Sequence, residues 1–132
     1  MATKSFEEML ERFNSLSIRE EFDVIVAVAN GGIVPAGILN QRLGLDFQLI
    51  KINLRDEEQR PRYEHPLLLE PLAFDPTGKR ILLVDDRIKT GATIRLAKEV
   101  LASAALIRTF AVNGTADYCL YDESCFRTPW RL

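Results

Sequence analysis

The sequence predicts an α/β protein, one domain built on a mainly parallel sheet flanked by helices. Val24-Ile-Val-Ala-Val-Ala29 and Ile81-Leu-Leu-Val84 are unbroken apolar runs. Such runs suit strands buried on both faces, whereas a half-exposed strand alternates. Each run is followed by a glycine-bearing turn and then by apolar residues at helical spacing. Strands separated in this way by helices join through right-handed crossovers, which makes the strands parallel. A chain of 132 residues with 47% hydrophobic and 27% charged residues builds one ordinary globular core, so residues 1–132 are expected to form a single domain.

The elements follow in order. Ser5-Phe-Glu-Glu8 is a capping-box pattern, and Phe6, Met9, Leu10, Phe13 and Leu16 form one apolar stripe, so a helix from Ser5 to Leu16 should lie across the sheet. Val24–Ala29 is the first strand. It ends at Asn30-Gly31-Gly32, and Ile33 to Leu43 reads as a helix closed by Gly44. Phe47 to Leu54 gives a second strand, Ile81 to Val84 a third and Leu106 to Val112 a fourth, with a helix through Ile94, Ala97 and Leu101 after the third. Arg55 to Lys79 is longer than a connection needs to be. Its charged first half is expected to be a moving tip, and Pro66-Leu-Leu-Leu-Glu-Pro-Leu72 a short extended or strand segment.

Charge and composition exclude several classes of function. A formal net charge of -2 and a pI near 5.5 lack the basic excess of a nucleic-acid surface. No apolar run approaches the length of a membrane span or a signal peptide, so a cytoplasmic protein is expected. Cys119 and Cys125 are too few for a zinc site and wrongly spaced for a redox pair, which leaves buried free thiols as the expectation. His65 reads as an ordinary loop histidine.

The chemistry concentrates in Val84-Asp85-Asp86-Arg-Ile-Lys89-Thr90-Gly91-Ala92-Thr93. An apolar strand delivers two acids to the sheet's carboxyl edge, and the turn after them opens a helix. Free N–H groups at a helix start favour an anion, and Gly91 lets the backbone approach it closely. The hydroxyls of Thr90 and Thr93 and the Lys89 ammonium add donors. Asp85 and Asp86 repel a phosphate but accept hydrogen bonds from sugar hydroxyls. A sugar phosphate is therefore the expected ligand. Three other readings fail or weaken. Receiver domains carry paired acids on their first strand, with most of the fold still to come, and too little chain remains here. A P-loop ends in Gly-Lys-Ser/Thr, which neither glycine turn supplies. A plain strand end and helix cap explains a bare acid pair but not the whole pattern.

Val-Asp-Asp-x-x-x-Thr-Gly-x-Thr after an apolar strand resembles the phosphoribosyl pyrophosphate (PRPP) signature of the type I phosphoribosyltransferases, with each of its fixed positions filled. Ala27-Val-Ala-Asn30-Gly31-Gly32-Ile-Val-Pro-Ala36 is similar to the family's pyrophosphate loop, above all in its small xanthine-guanine and hypoxanthine members. The resemblance spans Val24 to Leu101 and includes Gly78-Lys79. It implies that Asp85 and Asp86 hold the ribose hydroxyls as catalytic residues, that Lys89, Thr90, Gly91, Ala92 and Thr93 wrap the 5′-phosphate, and that Asn30, Gly31 and Gly32 hold pyrophosphate with Arg55 near it. Phe126, before Pro129-Trp130, falls where those enzymes stack an aromatic on the base. The resemblance further implies Mg²⁺ held mainly by the ligand, with Asp85 or Asp86 as protein donors, and a homodimer with a small or reduced hood. PRPP and a nitrogenous base are the implied partners, in purine salvage.

Two residues depart from the pattern. Lys89 stands where the 6-oxopurine enzymes carry a third Asp, and an ammonium does not accept a proton unless its pKa is strongly lowered. Asn30 replaces an Arg of the xanthine-guanine enzymes. The choice of base therefore stays open, and a regulatory module that binds PRPP or a nucleotide without turnover is the second expectation.

Overall fold

A computed structural model describes residues 3–53 and 66–132 of the chain. Its first helix, α1 (Phe6–Ser15), starts where the capping box predicts, with Ser5 Oγ accepting the Glu8 N–H at 3.1 Å. Met9 and Phe13 form its buried face, and Phe13 stacks on Phe110 with ring centroids 5.7 Å apart. Then follow β1 (Val24–Ala29), α2 (Ile33–Leu43), β2 (Asp46–Asn53) and β3 (Leu67–Leu68). The chain continues through β4 (Arg80–Arg87), α3 (Ala92–Val100), β5 (Leu106–Asn113) and β6 (Tyr118–Tyr121). Gly44 closes α2 as expected, in the left-handed region at φ 60°, with its N–H on the Asn40 carbonyl at 3.0 Å.

The six strands form one sheet in the order β3-β2-β1-β4-β5-β6. All neighbouring pairs are parallel except the antiparallel pairing of β2 with β3. Successive residues of β1 feed opposite layers. Ile25 and Ala27 join α1 and α2 in one apolar cluster, while Val24, Val26 and Val28 join Ile94, Ala97 and Leu101 of the α3 region in the other. Ile81, Leu82, Leu83 and Val84 on β4 are fully buried. At roughly 1.5–3 kcal/mol for each large side chain removed from water, this central strand anchors the fold. From β1 the chain runs outward to β2 and then returns to β4 on the other side. That reversal opens a crevice at the carboxyl ends of β1 and β4, the place where open α/β sheets bind ligands.

Some expectations change. β4 continues through Asp85, Asp86 and Arg87, so the acids lie on the strand itself. Ladder pairing with β5 at Asp85–Ala111 and Arg87–Asn113 extends it past the apolar run. β6 was not expected, since four residues are too few to show a period. Cys125 is exposed and Cys119 half-buried, so the expectation of buried thiols fails, although both are free. They lie on β6 and the tail, at the sheet's edge rather than in its core. The predicted short strand after Pro66 is β3. The expected moving tip, with Arg55, Arg60, Arg62 and His65, lies outside the described residues. Among the described residues no helix is long and apolar enough to cross a membrane.

Candidate active site

Two turns meet at the crevice. Asn30-Gly31-Gly32, whose Ala29–Asn30 peptide bond is cis, links β1 to α2. Gly31 is seated directly against the Asp86 carboxylate, so that a Cβ there would lie 2.6 Å from Asp86 Cγ. Gly32 is buried against both strands, and a Cβ would lie 2.8 Å from the Val28 carbonyl oxygen and closer still to that of Val84. The glycine pair is thus a steric requirement of bringing the β1 turn onto β4. Gly32's N–H donates to the Val28 carbonyl at 2.7 Å. That N–H is thus engaged within the fold, where Gly32 serves close packing. Asn30, at the tip of the turn, is exposed.

Asp85 is only 8% exposed, and its Oδ1 accepts the Asp86 N–H at 2.8 Å. Burial pushes the Asp85 carboxyl well above the usual carboxylate range, and the charge and side chain of the adjacent Asp86 raise it further, outweighing the backbone N–H groups of Asp86 and Arg87 that act to lower it. Asp86 is half-buried beneath Gly31. Two carboxylates are too few for a cage built by the protein alone, yet they are the hard oxygen donors that Mg²⁺ takes alongside ligand oxygens and water.

Lys89 and Thr90 are exposed at the turn before α3, and Gly91 adopts φ 83° as its N-cap without a side-chain cap. Ala92 and Thr93 form the half-buried first turn. That turn contains no acid. Instead Arg95 reaches back to the Thr90 carbonyl at 3.3 Å and lies beside Gly91, close to Lys89 in sequence. A cation at a helix N-terminus opposes the macrodipole at a cost of about 0.3–1 kcal/mol, which a bound anion would offset. Arg95 belongs to no motif; a basic residue in a first turn free of acids was its one signal.

The tail is brought to the same edge. Asn113, the last residue of β5, is buried, and its side chain bonds the Glu123–Ser124 backbone. Phe126 follows, half-buried against Tyr121 at 5.0 Å between centroids, with the Lys4 ammonium 5.3 Å from its own centroid. In this arrangement Phe126 packs the tail onto the core. Trp130 does likewise, meeting Phe6 edge-on at 6.4 Å.

Glycine-dependent contact between the β1 turn and β4, paired acids at the strand's end and a cationic helix start are thus brought together at one crevice. The chain belongs to the phosphoribosyl transferase domain family, whose model matches residues 3–112. Among individual relatives, it is 30% identical over 91 residues to the xanthine-guanine phosphoribosyltransferase of Gluconobacter oxydans (strain 621H), covering 68% of this chain and 54% of that protein. It is 28% identical over 113 residues to the enzyme of the same name from Idiomarina loihiensis (strain ATCC BAA-735 / DSM 15497 / L2-TR), covering 81% of this chain and 68% of the relative. The matched region thus spans about half to two thirds of the length of these curated relatives. The crystal structure of purine phosphoribosyltransferase from Pyrococcus horikoshii Ot3 has the same fold, with a TM-score of 0.83 at 24% identity over 99% of this chain and 93% of that one.

Proposed function

We propose that this protein transfers the phosphoribosyl group of PRPP to a nitrogenous base, a purine in salvage, with release of pyrophosphate. The seating of Gly31 against Asp86 carries the reading, because it puts a turn suited to pyrophosphate next to acids suited to ribose. The purine activities of the curated relatives support the substrate class. Residues 1–132 act as one domain in this reading.

The base nitrogen's lone pair forms a bond to C1′ while the C1′–O bond to pyrophosphate breaks and its electrons leave with pyrophosphate, and the base gives up its ring N–H proton to water. Asp85 and Asp86 orient the ribose hydroxyls, and the negative charge carried by the pair favours the cationic ribose of the transition state. Thr90 to Thr93 hold the 5′-phosphate, with Lys89 and Arg95 as cations. Asn30 and Gly31 face the pyrophosphate, and Gly32 keeps them against β4. Mg²⁺, held by ligand oxygens with Asp86 as a protein donor, would neutralise the leaving group. Phe126 borders the base. The setting is a cytoplasmic homodimer, consistent with the exposed Ile33 and Val34 on α2 and Leu67 and Leu69 at the sheet edge.

The test mixes purified protein with PRPP, Mg²⁺ and a panel of bases and follows pyrophosphate release. Release with a purine, lost in Asp85→Asn and Asp86→Asn together with PRPP affinity, is the expected result. Tight PRPP binding with no release from any base would replace the enzyme by the regulatory module. Lys89→Asp should widen base use if the missing acid limits removal of the base proton.

A further inference from the structure

The strand order assigns directions along the crevice. The candidate pyrophosphate turn follows β1 and the ribose acids end β4. A ligand that runs from pyrophosphate through ribose must present its base on the opposite side, over β5 and β6. What stands there is the tail from Glu123 to Phe126, and one side chain attaches it.

Asn113 ends β5 and is 7% exposed. Its main-chain oxygen accepts the Ile88 N–H at 3.1 Å, which ties it to the segment between the acids and the phosphate turn. Its side chain points the other way in bonding. Oδ1 accepts the Glu123 N–H at 3.0 Å, while Nδ2 donates to the Glu123 carbonyl at 3.1 Å and, less closely, to that of Ser124 at 3.5 Å. One buried residue therefore holds both the sugar-phosphate segment and the tail. Gly114, next in sequence, tightens the joint. At φ 131° its backbone suits glycine, and a Cβ would lie 3.0 Å from Ile88 N. Its N–H donates to the Tyr121 carbonyl at 2.9 Å.

We infer that Asn113 is a positioning residue for base recognition, fixing the Glu123–Phe126 wall at a set distance from the ribose and 5′-phosphate subsites. This rests on the phosphoribosyl reading above. A buried amide with both its donor and its acceptor engaged allows the tail little freedom to slide, since any shift strands a polar group away from water. Its influence falls on one end of the ligand. The phosphate turn is held by α3 and β4 independently of the amide, so the sugar-phosphate end should not sense the substitution.

The test compares two probes by isothermal titration of the full chain: ribose 5-phosphate, which lacks a base, and the purine nucleoside 5′-monophosphates. In wild-type protein a nucleotide should bind more tightly than ribose 5-phosphate, the ratio measuring the base wall. Asn113→Ala and the milder Asn113→Ser should leave ribose 5-phosphate affinity within about twofold and weaken the nucleotide by at least about tenfold, the scale of small misplacements in a binding site. Equal weakening of both probes, or of neither, in the variant that folds would overturn the inference. Wild-type binding of ribose 5-phosphate with no gain from any base would remove the wall and the inference with it, while leaving the sugar-phosphate site standing. Binding of neither probe would sink the phosphoribosyl reading itself.

Discussion

Asp85 sits where the fold disfavours its charge, a cost that the proposed ligand role would explain. It is buried beside a second acid, in surroundings that oppose its charge. A carboxyl whose folded pKa lies above its unfolded value binds its proton more tightly in the native state. Its contribution to stability is complete below the unfolded value of about 4 and is lost as pH rises through the folded one. Asp85→Asn cannot ionise and can still accept the Asp86 N–H. Its melting temperature at neutral pH should exceed wild type by on the order of a few degrees, roughly 1 kcal/mol in a domain of this size, and the two should converge near pH 4. Calorimetry of both proteins across that range checks this; a less stable variant at pH 7 would remove the idea that the acid is held for function. The identity of Asp85 and Asp86 was legible from the motif. That Asp85 is buried while Asp86 lies half-exposed under Gly31 was not, because the difference arises from neighbours distant in sequence.

At the scale of elements, the turn between β1 and α2 is tightly constrained by its neighbours. Gly32 has an ordinary φ of -81°, so its need for glycine is one of space alone. Gly32→Ala would push a methyl into the backbone of Val28 and Val84, which cannot yield as a side chain can. A loss of about 2–4 kcal/mol is expected, the range of severe overpacking, and urea unfolding measures it. Gly31→Ala meets a side chain instead, so it should cost less stability while displacing Asp86 and weakening PRPP binding. The equal-looking pair in the sequence therefore divides into one glycine packed on backbone and one packed on the Asp86 side chain. Strand and helix positions were legible from unbroken runs and helical spacing, and the Gly44 stop was visible too. β6 was not, because Tyr118–Tyr121 is made a strand by pairing with β5 rather than by its own pattern.

Across the whole molecule, the two ends of the sheet respond to pH in opposite senses. At the amino edge Asp23, just before β1, accepts the Arg80 main-chain N–H at 2.8 Å and two guanidinium bonds at 3.1 and 2.9 Å. These hydrogen bonds, aided by the charge of Arg80, lower its pKa from 3.8 to about 2. Its contribution is present above pH 4 and is lost as pH falls toward 2, whereas that of Asp85 fades as pH rises. Asp23→Asn should flatten the acid limb of the stability profile between pH 4 and 2 and leave the neutral region's slope to Asp85. An unchanged acid limb, read by circular dichroism, would show that the exposed Arg80 pair contributes little.

The sequence alone determined the α/β class, the order of the main strands and helices, and the two loops proposed to carry the chemistry. These depend on local patterns: apolar runs, helical spacing, caps and glycine turns. The tertiary structure decided that the Asn30–Gly32 turn closes on Asp86, that Gly32's N–H is spent within the fold, that Arg95 leans over the phosphate turn and that Asn113 holds the tail. Each of these is a contact set by how the strands are laid side by side. β1 and β4, neighbours in the sheet, lie far apart along the chain, so no local pattern encodes which turn faces which acid.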